Sequence, residues 1–265
     1  MELRHNQLIL DKITTPTESP RVSRPRLLAM LGENFAGYTA TVINGRAGTG
    51  KTLLAADFAR RCGRAAAWYK VDAADSDLRI FYRYLVESVR LQQPMLDLDP
   101  AMELPEEVAL DLVPLLADAL VFQLSECKSE PLLMVIEDLH LVYDAEWVVP
   151  FFRRLLPLLP RDTHLLITCR SLPPAPLWRM RSKQMLRVVD EGDLAFTLDE
   201  AVNLFKTYGL REEHARVALQ RTKGRAATIA TFASTPGEPG KALADSFMGI
   251  GRQMCLINEA TRCPS

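Results

Sequence analysis

Apolar positions along this chain follow two spacings that alternate: short, nearly unbroken runs, and longer stretches where they recur every three or four residues. The run Tyr38 to Asn44 (YTATVIN) is β-branched and bounded by Gly37 and Gly45, which predicts a strand. Ala65 to Val71 predicts a second, closed by an acidic turn from Asp72 to Asp77. Leu132 to Ile136 is wholly apolar between Pro131 and two acids, the pattern of a strand buried on both faces. Leu165 to Thr168 predicts another short buried strand leading to Arg170, and Met185 to Val189 the last one. Helical spacing covers Thr49 to Arg61, Leu78 to Leu91, Glu106 to Cys127 and Ala145 to Leu156. After Arg21, the text RVSRPRLLAML sets apolar residues behind basic ones, as at the start of a short helix.

Strands alternating with helices predict an α/β fold with a mostly parallel five-stranded sheet covered on both faces. The polar stretch 1–20, with its TTPTESP text, reads as a loose leader, and the sheet domain as 21–192. Past Phe196 the pattern is helical only, so 193–234 is expected to form a small helical segment. Its first helix is announced by Thr197-Leu-Asp-Glu200, a capping box in which hydroxyl and carboxylate satisfy each other's free amides. Residues 235–265 open Pro/Gly-rich and show weak periodicity, as in a divergent or disordered tail.

Charge narrows the function classes. With 32 Lys+Arg against 33 Asp+Glu the formal net charge is −1, so binding a nucleic-acid backbone by bulk charge is not expected. The longest apolar stretch, Val108 to Leu124, is broken by Asp111, Pro114 and Asp118 and is not a membrane span. The five cysteines form no CxxC pair, consistent with reduced thiols and a cytoplasmic location.

The chemistry sits at the strand–helix junctions. Gly45, Arg46, Ala47, Gly48, Thr49, Gly50, Lys51 and Thr52 match GxxxxGK[ST] in full, directly after a strand and before a helix. Glycines let successive N–H groups turn towards one anion, and the helix start adds its positive dipole end. Lys51 then reaches the β- and γ-phosphates, and the Thr52 hydroxyl ligates Mg²⁺. Glu137 and Asp138 end the buried strand, where one acid can join the Mg²⁺ shell and the other orient water; which does which stays open, since Glu137 stands where an aspartate is usual. Arg170 ends a strand as well, either reaching a γ-phosphate or lying as a surface arginine. His140 is either a polar gate beside the acids or a satisfied buried histidine.

In this order the pieces resemble the STAND class of signal-transduction ATPases, in the MalT-like branch of bacterial transcriptional regulators. The resemblance runs from Val22-Ser-Arg24-Pro-Arg26 through the Gly45–Thr52 loop, Trp68-Tyr-Lys-Val-Asp72 with Asp75, Glu137-Asp-Leu-His140, Thr168-Cys-Arg170, and Asp193-Leu-Ala-Phe196 to Thr222-Lys-Gly224. It implies a three-layer P-loop NTPase fold with a helical lid over the base, ATP and Mg²⁺ as ligands, Arg24 beside the adenine, and Arg170 as a sensor. Glu137, Asp138 and Arg170 would carry catalysis, with Thr52 and Glu137 on the metal. Slow ATP hydrolysis is expected, because no arginine finger is identifiable. Such regulators continue into a winged helix, a helical-repeat sensor and a helix-turn-helix, and none of these is expected here.

The expected function is an ATP-binding switch, with ATP/ADP as ligands and self-association or a protein partner compatible with it. Specific DNA binding by this chain is not expected: the helices near 198–209 and 211–223 mimic a helix-turn-helix, but the second opens with Glu212 and Glu213, which phosphates repel. Two rivals stand beside this reading, a non-hydrolysing ATP-binding regulator of a full-length homologue and a P-loop kinase or transferase. A GTPase is disfavoured, for no NKxD box occurs.

Overall fold

A computed structural model describes residues 8–98, 109–127 and 130–235. Its centre is a five-stranded sheet of β1 (Ala40–Asn44), β2 (Ala65–Lys70), β3 (Leu132–Glu137), β4 (Thr163–Cys169) and β5 (Leu186–Val189) in the order β2-β3-β4-β1-β5. Every pairing is parallel, so all strand C-termini share one edge. The order extends one way from β1 for β2 to β4 and the other way for β5, which makes β1 the topological switch point where ligands bind in open α/β sheets.

Alternate side chains of each strand enter two separate cores. Val42, Tyr69, Met134, Ile136 and Ile167 face the larger one, with α3 (Leu78–Arg90), α4 (Val113–Glu126) and α5 (Val148–Leu158). Ile43, Trp68, Leu133, Val135 and Leu166 face the smaller one, with α1 (Pro25–Gly37) and α2 (Lys51–Arg61). This period-two alternation between two buried faces explains why β3 and β4 read as unbroken apolar runs. The larger core is rich in rings: Phe81 lies 4.5 Å from Trp147 and 5.3 Å from Tyr69.

Several boundaries differ from the sequence reading. Residues 99–108 lie outside the described residues, and α4 begins only at Val113, with Pro114 in its first turn, where a missing N–H costs no helical bond. Likewise α5 starts at Val148 and not Ala145, because the preceding turn aims the Trp147 indole N–H at the Ser76 carbonyl, 2.7 Å away. Helix α2 starts at Lys51, since Gly50 is left-handed at φ 87°. A short helix α6 (Ala175–Trp178) precedes β5 and was not expected. Nor is 8–20 a loose leader: Lys12 and Ile13 are buried, and the Lys12 ammonium lies 2.6 Å from the Asp75 carboxylate and 3.0 Å from that of Asp72.

The described residues divide into two compact units, one running to Leu194 and one from Ala195. The second contains α7 (Leu198–Lys206), α8 (Glu212–Thr222) and α9 (Ala226–Ser234). Thr197 and Glu200 form the capping box, with the Thr197 N–H donating to Glu200 Oε2 at 3.0 Å. Within this unit Gly224, at φ 79°, meets Phe196 so closely that a Cβ would sit 2.8 Å from its backbone nitrogen. The tail from 236 on lies outside the described residues.

Candidate functional site

The chain leaves β1 at Asn44 and turns through Gly45–Gly50 into α2. Gly48 (φ 79°) and Gly50 (φ 87°) take left-handed conformations that side chains rarely adopt, which is what curls this loop around a point ahead of the helix. The hydroxyl of Thr49 ties the loop internally, donating to the Arg46 carbonyl at 2.9 Å. The Lys51 ammonium is buried and donates to the carbonyls of Gly45 at 2.6 Å and Arg46 at 3.1 Å. Burial pushes its pKa down, the negative charge of Asp138 opposes that shift, and Arg170 adds to it. A buried ammonium held only by neutral carbonyls gains most from an arriving anion.

Adjacent strand ends supply the acids. Glu137, the last residue of β3, is 3% exposed, and Thr52 on the first turn of α2 donates a hydrogen bond to its Oε1. A hydroxyl and a carboxylate side by side are a hard oxygen pair that suits Mg²⁺, which takes few protein ligands when phosphates and water complete its shell. Among the described residues no group of three or more His, Cys, Asp or Glu could hold a metal by itself. The next residue, Asp138, is left-handed at φ 57°, with its N–H donating to Thr168 Oγ1 of β4 at 3.0 Å. This kink turns its carboxylate away from the strand line, to 3.7 Å from Arg170 Nε and 3.7 Å from His140 Nδ1. His140 Nδ1 is buried and has no hydrogen-bond partner among the described residues, and burial holds its pKa below the ordinary range.

Lys51, Thr52, Glu137, Asp138, His140 and Arg170 therefore gather at the C-terminal ends of β1, β3 and β4. Arg46 does not aim a free cation at them, since its guanidinium donates to Glu191 Oε1 at 2.7 Å and its backbone N–H to Glu191 Oε2 at 3.2 Å. Arg24 is buried at the start of α1; its neighbour Ser23 donates to Asp57 of α2 at 2.7 Å, and Arg26 to the Asp193 carbonyl at 3.0 Å. The sequence reading named Thr168 only as a strand end and in the match Thr168-Cys-Arg170, not as a partner of Asp138, and did not single out Glu191, which holds Arg46. The acidic turn Asp190-Glu-Gly-Asp193 after the last strand was the available signal for Glu191.

The AAA ATPase domain family matches residues 24–168. The HTH-type transcriptional regulator MalT of Serratia proteamaculans is 31% identical over 200 residues, covering 75% of this chain and 22% of that protein. MalT of Yersinia enterocolitica is 32% identical over the same shares. The chain thus spans about a fifth of the length of the curated relatives it matches. Among solved structures, a STAND protein with a tetratricopeptide-repeat sensor from Pyrococcus horikoshii aligns with TM-score 0.55 at 19% identity, over 84% of this chain and 32% of that one. A Walker-type ATPase of Pyrococcus abyssi gives TM-score 0.54 at 13% identity, over 90% and 75%. Both show the fold.

Proposed function

This chain belongs to the AAA ATPase domain family, and we propose that it works as a MalT-like STAND signalling switch that binds ATP with Mg²⁺ and hydrolyses it slowly. The observation that carries the proposal is the contact of Thr52 with Glu137, which brings a hydroxyl and a buried carboxylate together beside the Lys51 ammonium. Lys51 holds the β- and γ-phosphates. Thr52 and Glu137 would hold Mg²⁺, which supplies charge neutralisation on the phosphates. Asp138, turned out of the strand by its left-handed backbone, orients the attacking water, and Arg170 faces the outer phosphate. Turnover is slow on this reading because no arginine finger is identifiable in the sequence.

As a switch, the domain works by differential affinity: a hundredfold preference of ATP for one arrangement supplies about 2.7 kcal/mol. The helical unit from Ala195 is taken as the lid, and the protein as cytoplasmic, by analogy with relatives whose names mark them as transcriptional regulators. The same unit is not taken as a DNA reader, since Glu212 and Glu213 open α8 and suit a helix N-terminus better than a phosphate backbone. Among the described residues no helix is long and apolar enough to cross a membrane.

Phosphate release from ATP, with Mg²⁺ and with EDTA, tests the enzymatic half. Release dependent on Mg²⁺ and reduced at least tenfold in Asp138→Asn, with ATP affinity within threefold, is expected. Binding without release would leave the non-hydrolysing regulator as the correct reading.

A further inference from the structure

The first two residues of the P-loop are fastened to the segment that leaves the sheet. Glu191 receives the Arg46 backbone N–H at 3.2 Å and the guanidinium at 2.7 to 3.1 Å. Leu194 is 2% exposed and packs on Gly45, where a Cβ would meet its Cδ1 at 3.2 Å. That segment is itself a tight unit. Asp190 Oδ1 accepts from the N–H groups of Gly192 at 2.9 Å and Asp193 at 3.2 Å, and the Asp190 carbonyl accepts from Leu194 N–H at 3.1 Å. Arg26 holds the Asp193 carbonyl from α1 at 3.0 Å. Immediately after Leu194 the first compact unit ends.

On the other side, the same two P-loop residues carry the carbonyls that hold the Lys51 ammonium. An ammonium has three donors, so engaging phosphate oxygens draws some of them away from Gly45 and Arg46. Those peptide units then feel the phosphates, and they are the units that Glu191 and Leu194 grip. We propose that Glu191, with Arg46 and Leu194, is a positioning device that carries the state of the phosphate site to the exit segment 190–194, and so to the covalent connection with the helical unit. This rests on the reading of the site as a nucleotide site. Charge alone does not make the device, because exposed ion pairs contribute little. Its strength is geometric: one carboxylate takes both the guanidinium and the backbone N–H, so it follows the loop itself and not only the tip of a side chain. A demonstrated coupling, and not proximity, is the test of such a link.

Hydrogen exchange over residues 189–197 of the full chain, saturated with ATP or with ADP, reads the device directly, with nucleotide titration run in parallel. In the wild type the two nucleotides should give exchange rates differing at least threefold at Gly192, Asp193 and Leu194. Glu191→Ala should still bind ATP within threefold but lose most of that difference. Arg46→Ala should lose it too, and the double variant no more than either single one, because the two residues act as one element. Equal rates with ATP and ADP in a wild type that binds both, an unaltered difference in Glu191→Ala, or losses that add in the double variant would overturn the proposal and leave the functional reading standing. A wild type that binds neither nucleotide would overturn the functional reading and this proposal with it.

Discussion

The two ends of the sheet treat buried polar groups in opposite ways. At the N-terminal end, His164 of β4 is 3% exposed and fully engaged, with Nδ1 donating to the Tyr38 carbonyl at 3.1 Å and Nε2 3.0 Å from the Thr41 hydroxyl. Phe35 covers its ring at 4.5 Å. A carbonyl on one nitrogen and a hydroxyl on the other suit the neutral ring, and burial pushes its pKa down to about 4. At the C-terminal end, His140 Nδ1 is buried with no hydrogen-bond partner among the described residues, Asp138 stands between a histidine and an arginine, and Lys51 leans on carbonyls. A satisfied polar group is a finished structural element. Polar groups of opposite charge gathered but incompletely paired are poised for something that completes them.

The comparison predicts that damage at one end spares the other. The largest effect belongs to Lys51→Ala, which should weaken ATP binding at least 100-fold. Two charge-assisted bonds at about 1.5–3 kcal/mol each are lost. The melting temperature should hold or rise, since a buried ammonium is removed; a fluorescent-nucleotide titration and a thermal melt check both halves. At the opposite end, His164→Ala should lower stability by about 2–4 kcal/mol, from the cavity and from stranding Thr41 and Tyr38. Its ATP affinity should stay within twofold, and urea unfolding beside the same titration would break the comparison if the two effects trade places.

The pH dependence of stability sharpens it further. His164 binds a proton near 6.5 when unfolded but only near 4 when folded, so the unfolded state gains protons first as pH falls. Stability contributed by the neutral ring is complete above about pH 6.5 and is lost on the way down to about pH 4, amounting to about 3 kcal/mol at most. Urea midpoints across that range should fall in the wild type and fall less in His164→Gln. The smallest effect is expected for Glu137→Gln, which should cut the Mg²⁺-dependent part of ATP affinity about tenfold, roughly 1.4 kcal/mol, while affinity measured in EDTA stays unchanged.

What the sequence made legible follows from how local each feature is. The P-loop is contiguous, and the buried strands β3 and β4 are apolar along their lengths, so text alone located both. Asp138 was visible as a residue, but its left-handed turn depends on a bond to Thr168, thirty positions on, and no local pattern encodes that. The same holds for Lys12, whose ion pair with Asp75 turned an expected leader into part of the packed unit across 63 residues of sequence. Arg46 stood correctly in its motif, yet its side chain went to Glu191, a partner 145 residues away. The helix starts at Val113 and Val148 differ from the expected ones because apolar spacing continues through the residues ahead of them, where Pro114 in the first turn of α4 and the Trp147 bond to Ser76 mark the boundaries.

On the proposed function, the C-terminal edge of this sheet is an ATP site completed by Mg²⁺. Calorimetric titration of the full chain with ATP and with ADP, each with Mg²⁺ and with EDTA, measures it most directly. One nucleotide per chain, tighter binding with Mg²⁺ than without, and a larger Mg²⁺ effect for ATP than for ADP are expected. No saturable binding of either nucleotide, or binding indifferent to Mg²⁺ for both, would contradict it.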